Sequence, residues 1–321
     1  MKLLFREDTR LNENSSSTSC DCTVAASYRA SGSVIRALVE AHPAGPGIPV
    51  PRSGSSALHL MCDVGAPVEA FRAVVETDAG AGSLRKVDRI FRQKPLQILS
   101  ARKTGYYSII SKLRELRQRE DSLRREARIS GADIEADLEQ LASQVEEIKV
   151  WDFWLKTSIL IQAEYKGSAL EPGEDATCRV VHACAAIPDC PNPLLELAAL
   201  LYPDQLVEQD DEGQAPLHKA VAKPAGRVLY DVLCAEATRI CDHNGKYPLQ
   251  IAIDTGRRRW GTGVGSLIAA NPAAVECLDL DGRLYPLLWS KLSREESWRR
   301  GPEALFLSIQ SKPDLFAVNR N

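Results

Sequence analysis

A segment rich in cysteine near the middle of the chain could bind a metal ion. The pattern C-x3-H-x-C-x5-C is formed there by Cys178, His182, Cys184 and Cys190. Thiolate and imidazole groups are the ligands that zinc prefers. Zinc sites usually pair their ligands at closer, loop-like spacing, however, and this segment has the pattern of a short helix. Buried structural roles for these side chains are therefore the alternative to a zinc-binding regulator or enzyme, and the spacing favours them.

Three histidines, at positions 59, 182 and 218, could in principle act as general bases. A general base needs a nucleophile or a substrate group within hydrogen-bonding reach, and none of the three has a glycine-framed nucleophile motif nearby. Their regular recurrence indicates instead that they hold the fold together. We therefore predict a protein that is not an enzyme and needs no cofactor.

The histidines belong to a four-residue motif that recurs along the chain. It reads SALH, KPLQ, RVVH, APLH, YPLQ and YPLL, and its fourth residue falls at positions 59, 97, 182, 218, 250 and 288. The spacings are 38, 85, 36, 32 and 38 residues. Apart from one long gap they stay near about 33 residues, a period typical of repeats built from two helices.

Prolines and glycines divide each repeat into the same parts. LVEAHP, ALLYP, LIAANP and SIQSKP each end an apolar helical stretch with proline, which cannot continue a helix. In DDEGQAPLH, Gly213 allows a positive φ at a loop tip and Pro216 suits the first position of a helix. The predicted unit is a short helix, a turn, a longer helix, a proline stop and an extended loop.

These motifs resemble ankyrin repeats, and more closely the divergent ankyrin-like proteins that are numerous in microalgae. The resemblance covers roughly residues 30–100 and 150–318. It implies an all-α, helix-turn-helix solenoid whose loop tips and concave helical face bind other proteins. The threonine that usually opens the motif is replaced by Ser56, Lys94, Arg179, Ala215, Tyr247 and Tyr285. Only Ser56 keeps a hydroxyl that can cap a helix, so we expect irregular repeats of uneven stability.

The long gap between motifs contains a charged helical insertion. Residues 102–131 carry nine basic and four acidic side chains, whereas residues 132–148 carry six acidic side chains and no basic one. A coiled-coil-like 4-3-4-3 spacing joins Ile134, Leu138, Leu141, Val145 and Ile148. The simplest prediction is a helical hairpin whose basic and acidic arms pair with each other. Two alternatives stay open: the insertion binds a helix of another chain, including self-association through residues 103–148, or its basic arm contacts nucleic acid or acidic lipid.

The composition is ordinary for a globular protein. The 40 Lys and Arg residues against 43 Asp and Glu residues leave a net charge of −3, which gives no reason to expect nucleic acid as a partner. A membrane is not expected either, because no apolar run approaches the roughly 18 residues of a spanning helix. The first ten residues lack the apolar core of a signal peptide. Nine scattered cysteines indicate reduced thiols, and hence the cytoplasm or the nucleus.

Four regions are expected: a disordered N-terminus (1–22), N-terminal ankyrin-like repeats (23–101), the charged insertion (102–149) and C-terminal ankyrin-like repeats (150–321). The predicted function is that of a non-enzymatic scaffold that binds one or more proteins. The residues expected to contact a partner are those of the loop tips, namely Asp210, Glu212, Gln214, His243, Asn244, Lys246, Asp281 and Arg283.

Overall fold

A computed structural model describes residues 21–90, 92–101, 106–130, 133–222, 235–255 and 264–275. Regular structure in these ranges is entirely helical, with fourteen α-helices, four short 3-10 helices and no strand. The all-α class predicted from the sequence is therefore confirmed. Within the same ranges, no helix combines the length and the apolar character needed to cross a bilayer. The chain divides into two compact units, residues 1–95 and 96–321.

The described part of the N-terminal unit, from residue 21 onward, contains five short helices. They are α1 (Asp21–Ser27), α2 (Gly32–Ala41), α3 (Ala57–Val64), α4 (Val68–Val75) and α5 (Asp78–Ser83). Helix α1 packs against α3, and α2 packs against α4, so that alternate helices are neighbours. The core between them is dominated by Leu58, Met61 and Phe71, whose side chains are fully buried.

Side-chain and glycine caps set the ends of these helices. The Oγ1 of Thr77 accepts a hydrogen bond of 3.0 Å from the N–H of Gly80 and so caps the start of α5. Helix α3 ends where Gly65 takes a φ of +72°, a left-handed conformation that glycine adopts without steric cost. Both devices satisfy backbone groups that the helix itself leaves without partners.

Helix α6 (Pro95–Ala101) begins at the last residue of the N-terminal unit, and eight further helices lie in the described ranges of the C-terminal unit. They are α7 (Tyr106–Ser130), α8 (Glu135–Lys149), α9 (Asp152–Lys166), α10 (Val180–Ala186), α11 (Asn192–Leu201), α12 (Pro216–Ala222), α13 (Pro248–Asp254) and α14 (Val264–Ala270). Helix α10 packs between α9 and α12, and α12 also packs against α13. The 3-10 helices are Gly45–Gly47, Pro203–Leu206, Ala235–Arg239 and Pro272–Val275.

The prolines of the described residues have the positions that the sequence predicted, whereas the SIQSKP and YPLL motifs lie outside those residues. Helices α2, α11 and α14 end at Ala41, Leu201 and Ala270, in each case two residues before a proline. Helices α12 and α13 begin at Pro216 and Pro248. A proline at the first position of a helix costs no hydrogen bond, because the N–H that it lacks would have had no partner within the helix.

The charged insertion forms two helices, of which the first has a neighbour that the sequence did not predict. Helix α7 contacts α8, as a hairpin requires, but its N-terminal half also lies along α11. Arg114 forms an ion pair with Glu196 of α11, and the Nη2 of Arg117 donates a hydrogen bond of 3.2 Å to the carbonyl oxygen of Leu200. Part of the basic arm is thus engaged by α11 and not by the acidic arm.

Candidate functional site

The first histidine, His59, ties the start of a helix to the following loop. Its Nδ1 accepts a hydrogen bond of 3.2 Å from the N–H of Ser56, just before α3. Its Nε2 lies 3.1 Å from the carbonyl oxygen of Lys86. The imidazole therefore carries its proton on Nε2 and joins two backbone segments that are 27 residues apart.

The other two motif histidines occupy the corresponding places in the C-terminal unit. The Nε2 of His182 lies 2.9 Å from the carbonyl oxygen of Gln214, 32 residues further along. The Nδ1 of His218 accepts a hydrogen bond of 3.1 Å from the N–H of Ala215. The network of His182 is incomplete on its other side, since its Nδ1 has no partner among the described residues. Arg179, which stands where Ser56 stands in the first motif, has a φ of +49°.

Glutamine performs the same task where it replaces the histidine. The Oε1 of Gln250 accepts a hydrogen bond of 2.7 Å from the N–H of Tyr247, immediately before α13. This is the bond that His218 makes with Ala215 one repeat earlier. At the fourth position of the motif, His59, His218 and Gln250 thus each accept a hydrogen bond from the backbone N–H three residues earlier, whereas His182 does not.

Burial favours the neutral form of the three histidines. Their side chains are at most 1% exposed, and desolvation lowers the pKa of His59, His182 and His218 below the usual 6.5. Nearby carboxylates oppose this shift without cancelling it. A side chain that is out of reach of solvent and committed to backbone bonds supports the fold, as its recurrence in the sequence indicated.

The loop tips are built around a buried or partly buried aspartate. The Oδ1 of Asp210 accepts hydrogen bonds of 2.9 Å from the N–H groups of Glu212 and Gln214. The Oδ1 of Asp242, 32 residues later, does the same with Asn244 (2.9 Å) and Lys246 (2.8 Å). Each aspartate also exchanges backbone bonds across its turn, at 2.9 Å and 3.0 Å in both tips. The two tips therefore share one geometry.

The two tips also contact each other. The N–H of His243 donates a hydrogen bond of 3.1 Å to the carbonyl oxygen of Glu212. The Nε2 of Gln209 donates to the carbonyl oxygen of Cys241, at 3.0 Å. Gly213 has the positive φ that the sequence predicted, +72°, and a Cβ at this position would lie 2.5 Å from the Cδ2 of His243. A side chain there would push the tips apart.

The side chains predicted to contact a partner fall into three groups. Glu212, His243, Asn244 and Lys246 are exposed and lie on neighbouring tips. Asp210 and Gln214 are only partly exposed, and the Asp210 carboxylate is committed to its own turn. The remaining two, Asp281 and Arg283, lie outside the described residues.

Asp210 has a further partner in Lys219, whose Nζ lies 2.9 Å from its Oδ2. Burial alone would raise the pKa of Asp210, but the Lys219 ammonium and the N–H groups of Gln214 and Glu212 outweigh this, so that the pKa is lowered. Sequence reasoning missed Asp242 altogether. A signal was available, because an aspartate stands three residues before the glycine in both DDEG and DHNG.

Two neighbouring acids of the first tip provide a matched test of this assignment. We expect Asp210→Ala to lower the free energy of unfolding by about 1–3 kcal/mol, because it leaves two backbone N–H groups without their acceptor and removes one of the two carboxylates that pair with Lys219. Glu212→Ala should change it by less than about 0.5 kcal/mol, since that side chain is 67% exposed. Urea denaturation followed by circular dichroism measures both. Equal midpoints for the two variants would contradict the structural role of Asp210.

The cysteine and histidine set does not form a metal cluster. Within the described ranges, which contain all four of its members, no group of three or more His, Cys, Asp or Glu side chains is placed to hold a metal ion. Cys178 is exposed, Cys184 is buried and Cys190 is half-buried. His182, between them in sequence, turns its Nε2 to the carbonyl oxygen of Gln214.

Comparison of the chain with protein-family models and with curated proteins gave no match.

Proposed function

We propose that the chain is a non-enzymatic scaffold of stacked ankyrin-like repeats that binds other proteins through its loop tips. The observation that carries this proposal is the pair of tips around Asp210 and Asp242. They are 32 residues apart, are built by the same hydrogen bonds, and contact each other. Consecutive repeats that stack in this way present their tips as a row, which is the surface that repeat proteins use for recognition.

The packing of the helices supports the stacked arrangement. Short helices pack on one another, α1 with α3 in the N-terminal unit, and α10 with α12 and α12 with α13 in the C-terminal unit, where all three carry the motif. Helices α2 and α4 do likewise, and α11 packs against α7 of the insertion. Each two-helix layer leaves apolar surface that only the next layer can cover, and this is the physical basis of a solenoid.

The exposed side chains of the loop tips are polar or charged and are suited to contact a polar surface of a partner protein. Glu212 and Lys246 are charged, and His243 and Asn244 between them offer donors and acceptors. Both charged groups already have partners within the chain, Lys219 for Glu212 and Asp254 for Lys246. Such exposed ion pairs are worth about 0–1 kcal/mol each, so a partner can replace them at little cost. The odd number of cysteines, nine, supports a reducing compartment as the place of this binding.

The test is a quadruple tip variant, Glu212→Ala, His243→Ala, Asn244→Ala and Lys246→Ala. Partners are first identified by proximity labelling with the wild-type chain in its native cell, and binding of the purified pair is then measured. We expect the tip variant to fold normally and to bind at least about tenfold more weakly, which corresponds to ~1.4 kcal/mol. The matched control replaces exposed side chains of the N-terminal unit, Glu40→Ala with Asp63→Ala, and should bind like the wild type. Unchanged binding by the tip variant would refute the proposal.

A further inference from the structure

The two helices of the insertion leave an open groove. It has a volume of about 880 Å³ and lies between α7, α8 and the C-terminal end of α11 with the residues that follow it. Its apolar lining comes from all three helices and includes Leu113, Leu116, Leu138, Leu141, Val145 and Leu200. A volume of this size lies within the range of roughly 300–1,000 Å³ that is typical of binding pockets.

The described residues cover only part of the apolar seam that the 4-3-4-3 spacing creates. Leu141 and Ile148 are buried, but Ile134, Leu138 and Val145, which alternate with them along α8, remain half-exposed. On the facing helix, Leu113 and Leu116 are buried near the base, whereas Leu123 is half-exposed further out. A continuous apolar strip that is left partly in water is typical of a surface that a partner covers.

Charge decides which helices can fill this groove. Helix α7 contains seven basic and four acidic residues, and Arg117 and Arg124 line its edge of the groove together with Glu120, which pairs with Arg124. Helix α8 contains five acidic residues and one basic residue, and its edge is lined by Glu135, Glu139 and Glu146 with Lys149. The occupant must therefore offer an apolar face, negative charge beside α7 and positive charge beside α8.

We propose that the occupant is the same hairpin of a second copy of this chain. A two-fold axis parallel to the hairpin places α8 of the second copy beside α7 of the first, and α7 of the second beside α8 of the first. The acidic helix α8 of each copy then faces the basic helix α7 of the other. The two half-exposed apolar seams pack together as the core of a four-helix bundle. The hairpin is thus self-complementary in both shape and charge.

The first experiment is the mass of the full chain in solution by light scattering. We expect twice the chain mass of 35.2 kDa for the wild type. Leu138→Lys places a charge in the apolar seam and should reduce the mass to that of one chain. Gln140→Lys adds the same charge at an exposed position of the same helix and should leave the dimer intact. A wild-type mass of 35.2 kDa at about 100 µM, far above the Kd of a specific dimer, would overturn the proposal.

The second experiment exchanges the charges of the two edges. One variant carries Glu135→Lys and Glu139→Lys, and the other carries Arg117→Glu and Arg124→Glu. Each alone brings like charges together across the dimer and should be monomeric at low salt, with its helix content checked by circular dichroism. Mixed in equal amounts, the two restore opposite charges across the interface and should form a heterodimer of the wild-type mass. Two folded variants that remain monomeric when mixed would contradict the two-fold arrangement. Because the loop tips are unaltered, this outcome is independent of the partner-binding test.

Discussion

Replacing Gly80 with alanine is expected to destabilise the N-terminal unit by about 3 kcal/mol or more. A Cβ on Gly80 would overlap the carbonyl oxygen of Val74 and would lie 2.8 Å from its carbonyl carbon and from its Cγ1. The obstacle is backbone and cannot be moved aside like the end of a flexible side chain. The same carbonyl oxygen accepts hydrogen bonds from the Oγ1 of Thr77, at 2.7 Å, and from its N–H, at 3.2 Å. Relief of the overlap would therefore break the turn between α4 and α5.

The matched control lies two residues further along the same helix. A Cβ on Gly82 would have no heavy atom within 4 Å, and the residue is exposed. Alanine has a higher helix propensity than glycine by about 0.8–1 kcal/mol, so Gly82→Ala should be neutral or slightly stabilising. Hydrogen exchange of the amides in α3, α4 and α5 measures the local opening free energy of this unit apart from the other one. Similar exchange rates in the two variants would show that α5 does not pack against α4 as closely as described.

Acidification from pH 7 towards about pH 5 is expected to destabilise the wild-type protein, and a triple variant should lose much of this dependence. The variant carries His59→Gln, His182→Gln and His218→Gln. Desolvation lowers the pKa of each of these histidines, so the unfolded chain binds protons more readily than the folded one. Their contribution to stability is present above the unfolded pKa of about 6.5 and is lost as the pH falls through the folded values. Each unit of pKa depression contributes about 1.4 kcal/mol to the loss.

Glutamine is the appropriate replacement, because Gln250 already accepts the corresponding backbone hydrogen bond in the repeat that contains α13. The control carries His42→Gln and His243→Gln, which change the two exposed histidines of the chain and should leave the dependence on pH as in the wild type. Urea midpoints measured at several pH values give the slope for each protein. The pKa values of the Asp210 and Glu174 carboxyl groups are lowered, so their effect on stability falls below the range from about pH 7 to about pH 5 in which the histidines act. If the urea midpoint changed equally with pH in the triple variant and in the wild type, the three histidines would be excluded as the cause of the pH dependence.

Several features of the loops and helices could be predicted because they depend on neighbouring residues alone. Proline ends or begins a helix because of its ring and its missing N–H. The starts of α12 at Pro216 and of α13 at Pro248 could therefore be predicted from the sequence. The positive φ of Gly213 follows in the same way from the lack of a Cβ. The recurrence of histidine before an apolar helix indicated a bond to the backbone, although not which distant carbonyl group would accept it.

The roles of Asp210 and Glu212 could not be separated in this way. Both are acids in one loop, and both were predicted to contact a partner. Only the path of the backbone decides that the Asp210 carboxylate turns inward to two N–H groups while Glu212 points to solvent. The side-chain direction in a turn depends on φ and ψ over several residues, which composition does not specify.

The all-α class, the helix ends at prolines and glycines, and the charge of the two arms of the insertion can be read from the order of the residues. Folding in three dimensions is what brings α7 along α11, joins two loop tips in one network of hydrogen bonds, and leaves the apolar seam of α8 half-exposed among the described residues. The first set follows from stereochemistry and charge within a few residues. The second depends on contacts between segments tens of residues apart, each of them weak, and only their sum selects which surfaces meet.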